Sequence, residues 1–355
     1  MKSVAIGKPK FIFFSIKQHI LPILFCLFTI FLVVFSKSNL IAAKSGLTLW
    51  ANNVVPSLLP FFIATELLSH TNIVSKIGKL LTPIMRPIFN VPGQGAYALL
   101  MGIISGYPIG AKIVTDFREK GICTKEEGER LLSFTNNSGP LFIIGTVGIS
   151  LFSNSLVGLL LLITHILACI SVGIVFRFWK FSSNSKKHEN FTYSNLDKTV
   201  TFSSLGEVLS QSIISSINTV LMIGGFIVLF SVILSILQKS NFINLLSSIF
   251  FPFFKFAGIN NINFCYGFLS GILELTNGVT QIAAIPCKAI STNIIIASFL
   301  LGFGGISILL QVFSITSKSD ISIKPYILGK LLHGIFAAIY TYIFISYFPI
   351  FNLNF

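Results

Sequence analysis

Charge is scarce in this sequence. Lys and Arg supply 25 residues and Asp and Glu only 11, so 10% of the 355 residues are charged. A soluble domain carries about 25%, and a chain this poor in charge cannot dress a water-facing surface. Hydrophobic residues make up 53%, and the mean hydropathy is +0.86. Those values belong to an all-α polytopic membrane protein, because hydrocarbon tolerates only backbone that satisfies itself. Acids are scarcest, which leaves a net charge of +14. The basic residues lie mostly between apolar runs, where membrane topology needs them. No nucleic-acid motif accompanies them, so the expected partner is the lipid bilayer and not nucleic acid. Both sides of any topology come out basic, so the positive-inside rule sets no orientation. Cysteine is sparse as well. Cys26, Cys123, Cys169, Cys265 and Cys287 form no CxxC pair and no zinc spacing, so neither a disulfide framework nor a metal ligand set is legible. Four of the five lie in apolar stretches and are expected to fill the core. A GxSxG elbow, an HExxH pair and a Walker loop are all missing, so neither an enzyme nor a cofactor is expected.

What the sequence has is a series of apolar runs. Lys2, Lys8, Lys10 and Lys17 precede the first, residues 20–35. The pattern resembles a signal peptide, but the small pair Ala42–Ala43 lies well beyond the apolar stretch, so an uncleaved transmembrane helix is expected. A second helix is expected over 47–68, then an amphipathic stretch at 73–89 able to lie at the interface. The run 94–117 is interrupted by SGYPIGAK, and REKGICTKEEGER at 118–130 reads as a solvated helix of mixed charge. The run 131–151 is interrupted by TNNSGP, and 156–178 is a clean span. A polar linker follows. After it come a long run at 205–237, an interfacial piece at 242–256, a run at 262–284 broken by LELTNG, another at 293–315 broken by GFGG, and a closing span at 327–348.

The order of features therefore repeats. Tyr97 and Gly102 align with Tyr266 and Gly271 at an offset of 169 residues, and Ser133–Phe134 aligns with Ser298–Phe299 at 165. The expected organisation is an N-terminal helix and connection (1–46), a first repeat (47–181), a linker (182–204) and a second repeat (205–355). The two repeats are expected to be inverted, with broken or re-entrant helices.

A broken helix in hydrocarbon needs a reason, and paired breaks in two halves point to a transporter's substrate site. Half-helix N-termini expose N–H groups and a partial positive charge, so they suit an anion. At the first break, Ser105, Gly106, Tyr107, Pro108 and Gly110 supply irregular backbone. Lys112 lies in the following turn, where a cation opposes the helix dipole. It is open to three roles: meeting a substrate anion, snorkelling to the interface, or pairing with Asp116 four residues on. Asn136, Asn137, Ser138 and Gly139 flank the second break as donors or acceptors. Glu274 stands inside an apolar run beside Thr276 and Asn277, and an intramembrane carboxylate is a functional candidate by default. Glu66 reads as interfacial. His165 and His333 read as separate packing residues.

SGYPIGAK, EEGERLLSFTNNSGPLFIIGTVG and GILELTNG, in that order, resemble the YlbJ family of sporulation integral membrane proteins, within the wider group sharing a nucleoside recognition, or gate, domain. The resemblance runs from about Leu47 to the C-terminus. It implies a nucleoside-transporter-like fold in an endospore-forming bacterium. The implied substrate is a small organic anion, dipicolinate, taken with or without Ca²⁺ into the forespore across the mother-cell-derived outer forespore membrane. A nucleoside or nucleobase transporter and a non-transporting assembly factor for the spore are the rival readings. A homo-oligomer is compatible with all three.

Overall fold

The computed structural model describes residues 10–180, 205–286 and 291–348. The expected linker at 182–204, Cys287 and Lys288 lie outside the described residues. Helices account for all the regular structure among the described residues, as apolar composition requires when backbone groups must pair within their own segment.

The chain starts with α1 (Lys10–Val34) and α2 (Ser36–Leu49), with a 99° bend between residues 19–34 and 36–52. Asn39 stabilises the bend: its Nδ2 donates to the carbonyls of Phe31 at 3.0 Å and Leu32 at 3.4 Å, in the last turn of α1. A π-helical segment, π1 (Trp50–Val54), joins α2 to α3 (Val55–Ser69). The helix expected over 47–68 thus begins much earlier, at Ser36. Trp50 fixes this helical run to the long helix α9 (Leu205–Lys239), donating from Nε1 to the Val220 carbonyl at 2.9 Å. Its ring covers Gly224, where a Cβ would lie 2.6 Å from Nε1.

Two series of elements follow in the same order. The first is α4 (Ile73–Phe89), α5 (Gly95–Ser105), α6 (Ile109–Glu119), α7 (Lys125–Thr135), π2 (Leu141–Leu151) and α8 (Ser155–Phe176). The second, after α9, is α10 (Phe242–Phe256), α11 (Ile262–Leu273), α12 (Leu275–Ala283), α13 (Ser291–Phe303), α14 (Gly305–Thr316) and α15 (Lys324–Tyr347). Four stretches among the described residues are long and apolar enough to cross a membrane: α8, α9, α13 with α14, and α15; the bent α1–α2 pair makes a fifth if it counts as one span. The chain is an all-α polytopic membrane protein.

Two hydrophobic clusters hold the series together. One packs α4–α7 around Phe89, Tyr97 and Phe134, with the Phe89 and Phe134 rings stacked at 5.0 Å. The other packs π2, α8 and α11–α13 around Val147, Leu161, Val279 and Leu300. Cys169 and Cys265 are buried as expected, and Cys123, in the charged connector, is buried against expectation. Cys26 is not, because α1 leaves most of its apolar side chains outside the body, Phe25 and Val33 among them.

The charged connector corrects another expectation. Arg118, at its start, is solvated and pairs bidentately with Asp320 at 2.8 and 3.0 Å. Its second half is not a solvated helix, because Glu127, Glu129 and Arg130 are buried. Each has partners that replace water. Glu127 pairs with Arg86 and completes a capping box with Thr124 at the start of α7. Glu129 accepts from Trp179 Nε1 at 2.8 Å and pairs with Lys180 at 3.0 Å. Arg130 donates to the carbonyls of Trp179, Asn90 and Lys180 at 2.8–3.1 Å. Burial of charge is tolerated only with such partners, and here they fix the start of α7, and with it the break at its far end.

Candidate functional site

Four helix breaks converge. The first lies between α5 and α6. Gly106 adopts φ +81°, a backbone region that a side chain disfavours, and a cis Tyr107–Pro108 bond leads into α6. The second lies between α7 and π2, where Asn136 turns extended and Pro140 restarts the helix. These two breaks interlock. A Cβ on Gly106 would lie 2.9 Å from the Gly139 nitrogen, and the Thr135 carbonyl lies against both Gly102 and Gly110, where a Cβ would approach to 1.8 and 2.1 Å.

The third break, between α11 and α12, is a single residue. Glu274 is extended, and its carboxylate caps its own half-helix: Oε1 accepts from the Thr276 N–H at 3.1 Å, and Oε2 accepts from the Asn277 N–H at 2.8 Å and Asn277 Nδ2 at 2.9 Å. The fourth, between α13 and α14, is made by Gly304 and Gly305 at φ +85° and +83°. A Cβ on Gly305 would lie 3.1 Å from the Gly271 carbonyl, so the third and fourth breaks interlock as well. Tyr107 links the pairs, donating from its hydroxyl to the Leu301 carbonyl at 3.2 Å.

A cavity of about 570 Å³ opens where the breaks meet. Ser105, Gly106, Tyr107, Ser138, Gly139, Glu274 and Thr276 line it, so seven of the thirteen expected site residues share one wall system. Apolar side chains of π1 and α3, with Ile223 and Ile227 of α9, close it on another side. Each C-terminal half-helix starts at the cavity: α6 behind Tyr107, π2 behind Gly139, α12 at Glu274 and α14 just before Ser307. Four half-helix starts therefore lie beside one space, and at α12 a carboxylate of the chain already meets the partial positive charge.

The other expected residues stand outside the cavity lining. Pro108 and Gly110 shape the first break from behind. Asn136 Nδ2 donates to the Tyr326 hydroxyl at 2.8 Å, and Asn137 Nδ2 donates to the Phe134 carbonyl at 2.9 Å. Both asparagines are buried, and each Oδ1 has no hydrogen-bond partner among the described residues. Asn277 completes the Glu274 cap. Lys112 takes neither the Asp116 pairing nor a place in the lining. Its Nζ pairs with Glu66 Oε2 at 2.7 Å and donates to Ser215 Oγ at 2.8 Å, joining α6 to α3 and α9. Glu66 is therefore a partner of Lys112 rather than a lone interfacial acid.

If the pair is structural, Lys112→Met alone should lower the melting temperature of the purified protein, and Glu66→Gln in the same chain should restore it. A substrate contact by Lys112 predicts instead that the double variant folds normally but transports nothing.

His165 and His333, read from the sequence as separate, are a pair. They stand 168 residues apart on α8 and α15, and their rings pack at 4.3 Å. Their partners assign the tautomers. The Ser138 N–H donates to His165 Nε2 at 3.2 Å, so a neutral His165 carries its proton on Nδ1. His333 Nε2 lies 3.0 Å from the His165 carbonyl, which only accepts, so His333 carries its proton on Nε2. The pair braces the second break against α15.

Sequence reasoning missed Lys330. It lies in the second turn of α15, fully buried, and donates from Nζ to the Tyr107 hydroxyl at 2.7 Å and the Asn136 carbonyl at 3.3 Å. It thus holds the first two breaks together. The signal was present in KPYILGKLLHG: the same intramembrane-charge argument that selects Glu274 selects this lysine.

Residues 51–178 match the family described as Gate, nucleoside recognition. The chain is similar to the sporulation integral membrane protein YlbJ of Bacillus subtilis (strain 168), 38% identical over 321 residues that span 84% of this chain and 76% of that protein. No solved structure matches.

Proposed function

We propose a transport function for this chain, which belongs to the YlbJ family of sporulation integral membrane proteins. The proposed cargo is dipicolinate, moved into the developing forespore across its outer membrane, with or without Ca²⁺. One observation carries the reading: four half-helix N-termini border a single cavity of about 570 Å³. A small planar dianion of about a dozen non-hydrogen atoms suits a cleft of that size. Helix N-termini suit its carboxylates, and the apolar wall of α3 and α9 suits its ring. The repeated order of elements supports two repeats, and we take them as inverted and rocking against each other around this site.

The rival with an observation of its own is a nucleoside carrier, favoured by the gate-domain match over 51–178. Uptake by purified protein in liposomes separates the readings. Saturable dipicolinate uptake that uridine and adenosine fail to compete is the expected result. Nucleoside uptake would replace the first reading with the second. Folded protein that moves neither would leave the assembly role.

A further inference from the structure

We propose that Lys330 is the counter-charge by which this cavity selects an anion, acting through Tyr107. The inference deepens the transport reading and rests on it. Lys330 is fully buried within a span. No carboxylate pairs with it among the described residues. Its partners are neutral: the Tyr107 hydroxyl, the Asn136 carbonyl and the Tyr107 ring, whose centroid lies 4.8 Å from Nζ. Neutral partners orient an ammonium but leave its charge unbalanced, and an unbalanced charge at membrane depth is costly. A hydroxyl or an amide could donate to the same two oxygens, so these hydrogen bonds alone do not explain why the residue is a lysine.

The place of the lysine explains it. Tyr107 lines the cavity, so the ammonium lies one side chain behind the wall, where the low dielectric lets its field reach the ligand. Glu274, the carboxylate in the lining, forms no ion pair with Lys330, and its oxygens accept from three N–H donors of its own half-helix. A bound anion would supply the missing charge. Lys330 is thus a positioning and selectivity residue rather than a direct ligand. It also ties selectivity to conformation, because the same Nζ clasps the first break to the second.

The experiment measures charge preference in the purified full-length chain. Two matched pairs serve as probes: dipicolinate with its uncharged diamide, and uridine monophosphate with uridine. Wild type should bind the charged member of at least one pair tenfold or more tighter than the neutral member. Lys330→Met should lose that preference, weakening the anion about tenfold while leaving the neutral ligand within twofold. Lys330→Arg should keep it. A merely structural role predicts that Lys330→Met weakens both members alike, and that result overturns the proposal, as does an unchanged preference or binding of neither pair. If dipicolinate fails to bind while the nucleotide shows a preference that Lys330→Met abolishes, the dipicolinate reading falls and the role of Lys330 stands.

Discussion

Gly110→Ala should leave little folded protein, and its loss should rank with those at Gly102 and Gly93 as the largest from any single methyl addition in the first series. The added Cβ would lie 2.1 Å from the Thr135 carbonyl oxygen, 2.6 Å from its carbon and 2.9 Å from the Asn136 Cα. All three are backbone atoms, so no rotamer change relieves the clash. Overpacking usually costs about 1–3 kcal/mol because side chains give way, and a contact with buried backbone belongs at or above the top of that range. Relief requires α6 to move off the second break, which would also separate Gly106 from Gly139 and open the cavity floor. The expected readout is a large drop in monodisperse protein after detergent extraction, with no uptake by what remains. Gly225→Ala is the control. Nothing lies within 4 Å of its added Cβ on α9, and alanine gains up to about 1 kcal/mol in helix propensity. Equal behaviour of the two variants would show that the α5–α6 break does not grip Thr135 as described.

The contrast between those glycines marks what hydropathy can and cannot carry. The apolar pattern placed α4 and α10 at the residues expected, 73–89 and 242–256, because a one-sided apolar face is a local property of the chain. It located the breaks for the same reason: glycine and proline act on their own backbone. It did not place the charged side chains, because each partner comes from a distant segment. Lys112 had an acid four residues away in Asp116, but tertiary packing brings Glu66 from α3. Glu127, Glu129 and Arg130 read as a water-facing run, yet Arg86, Trp179 and backbone carbonyls at 90, 179 and 180 bury them. His165 and His333 were illegible as a pair because adjacency across 168 residues depends on how α8 and α15 pack. Lys330 differs, since its span and its charge were both visible, and only its contacts needed the fold.

Glu274 carries the second large effect. It stands at the cavity, only 6% exposed, and satisfies the start of α12 without help from solvent. Loss of an N-cap costs about 0.5–2 kcal/mol where water can replace it; here water has little access, so Glu274→Ala should reach or pass about 2 kcal/mol. Glu274→Gln separates architecture from charge. The amide keeps one acceptor oxygen, so it should retain part of the cap and melt between wild type and the alanine variant. If the carboxylate serves only α12, uptake by the glutamine variant should track its stability. If it also carries a proton or a coupling cation, uptake should fall at least tenfold in a protein that still folds. Uptake at wild-type level in Glu274→Gln would reduce Glu274 to a capping residue and leave Lys330 as the single charge that matters at the cavity.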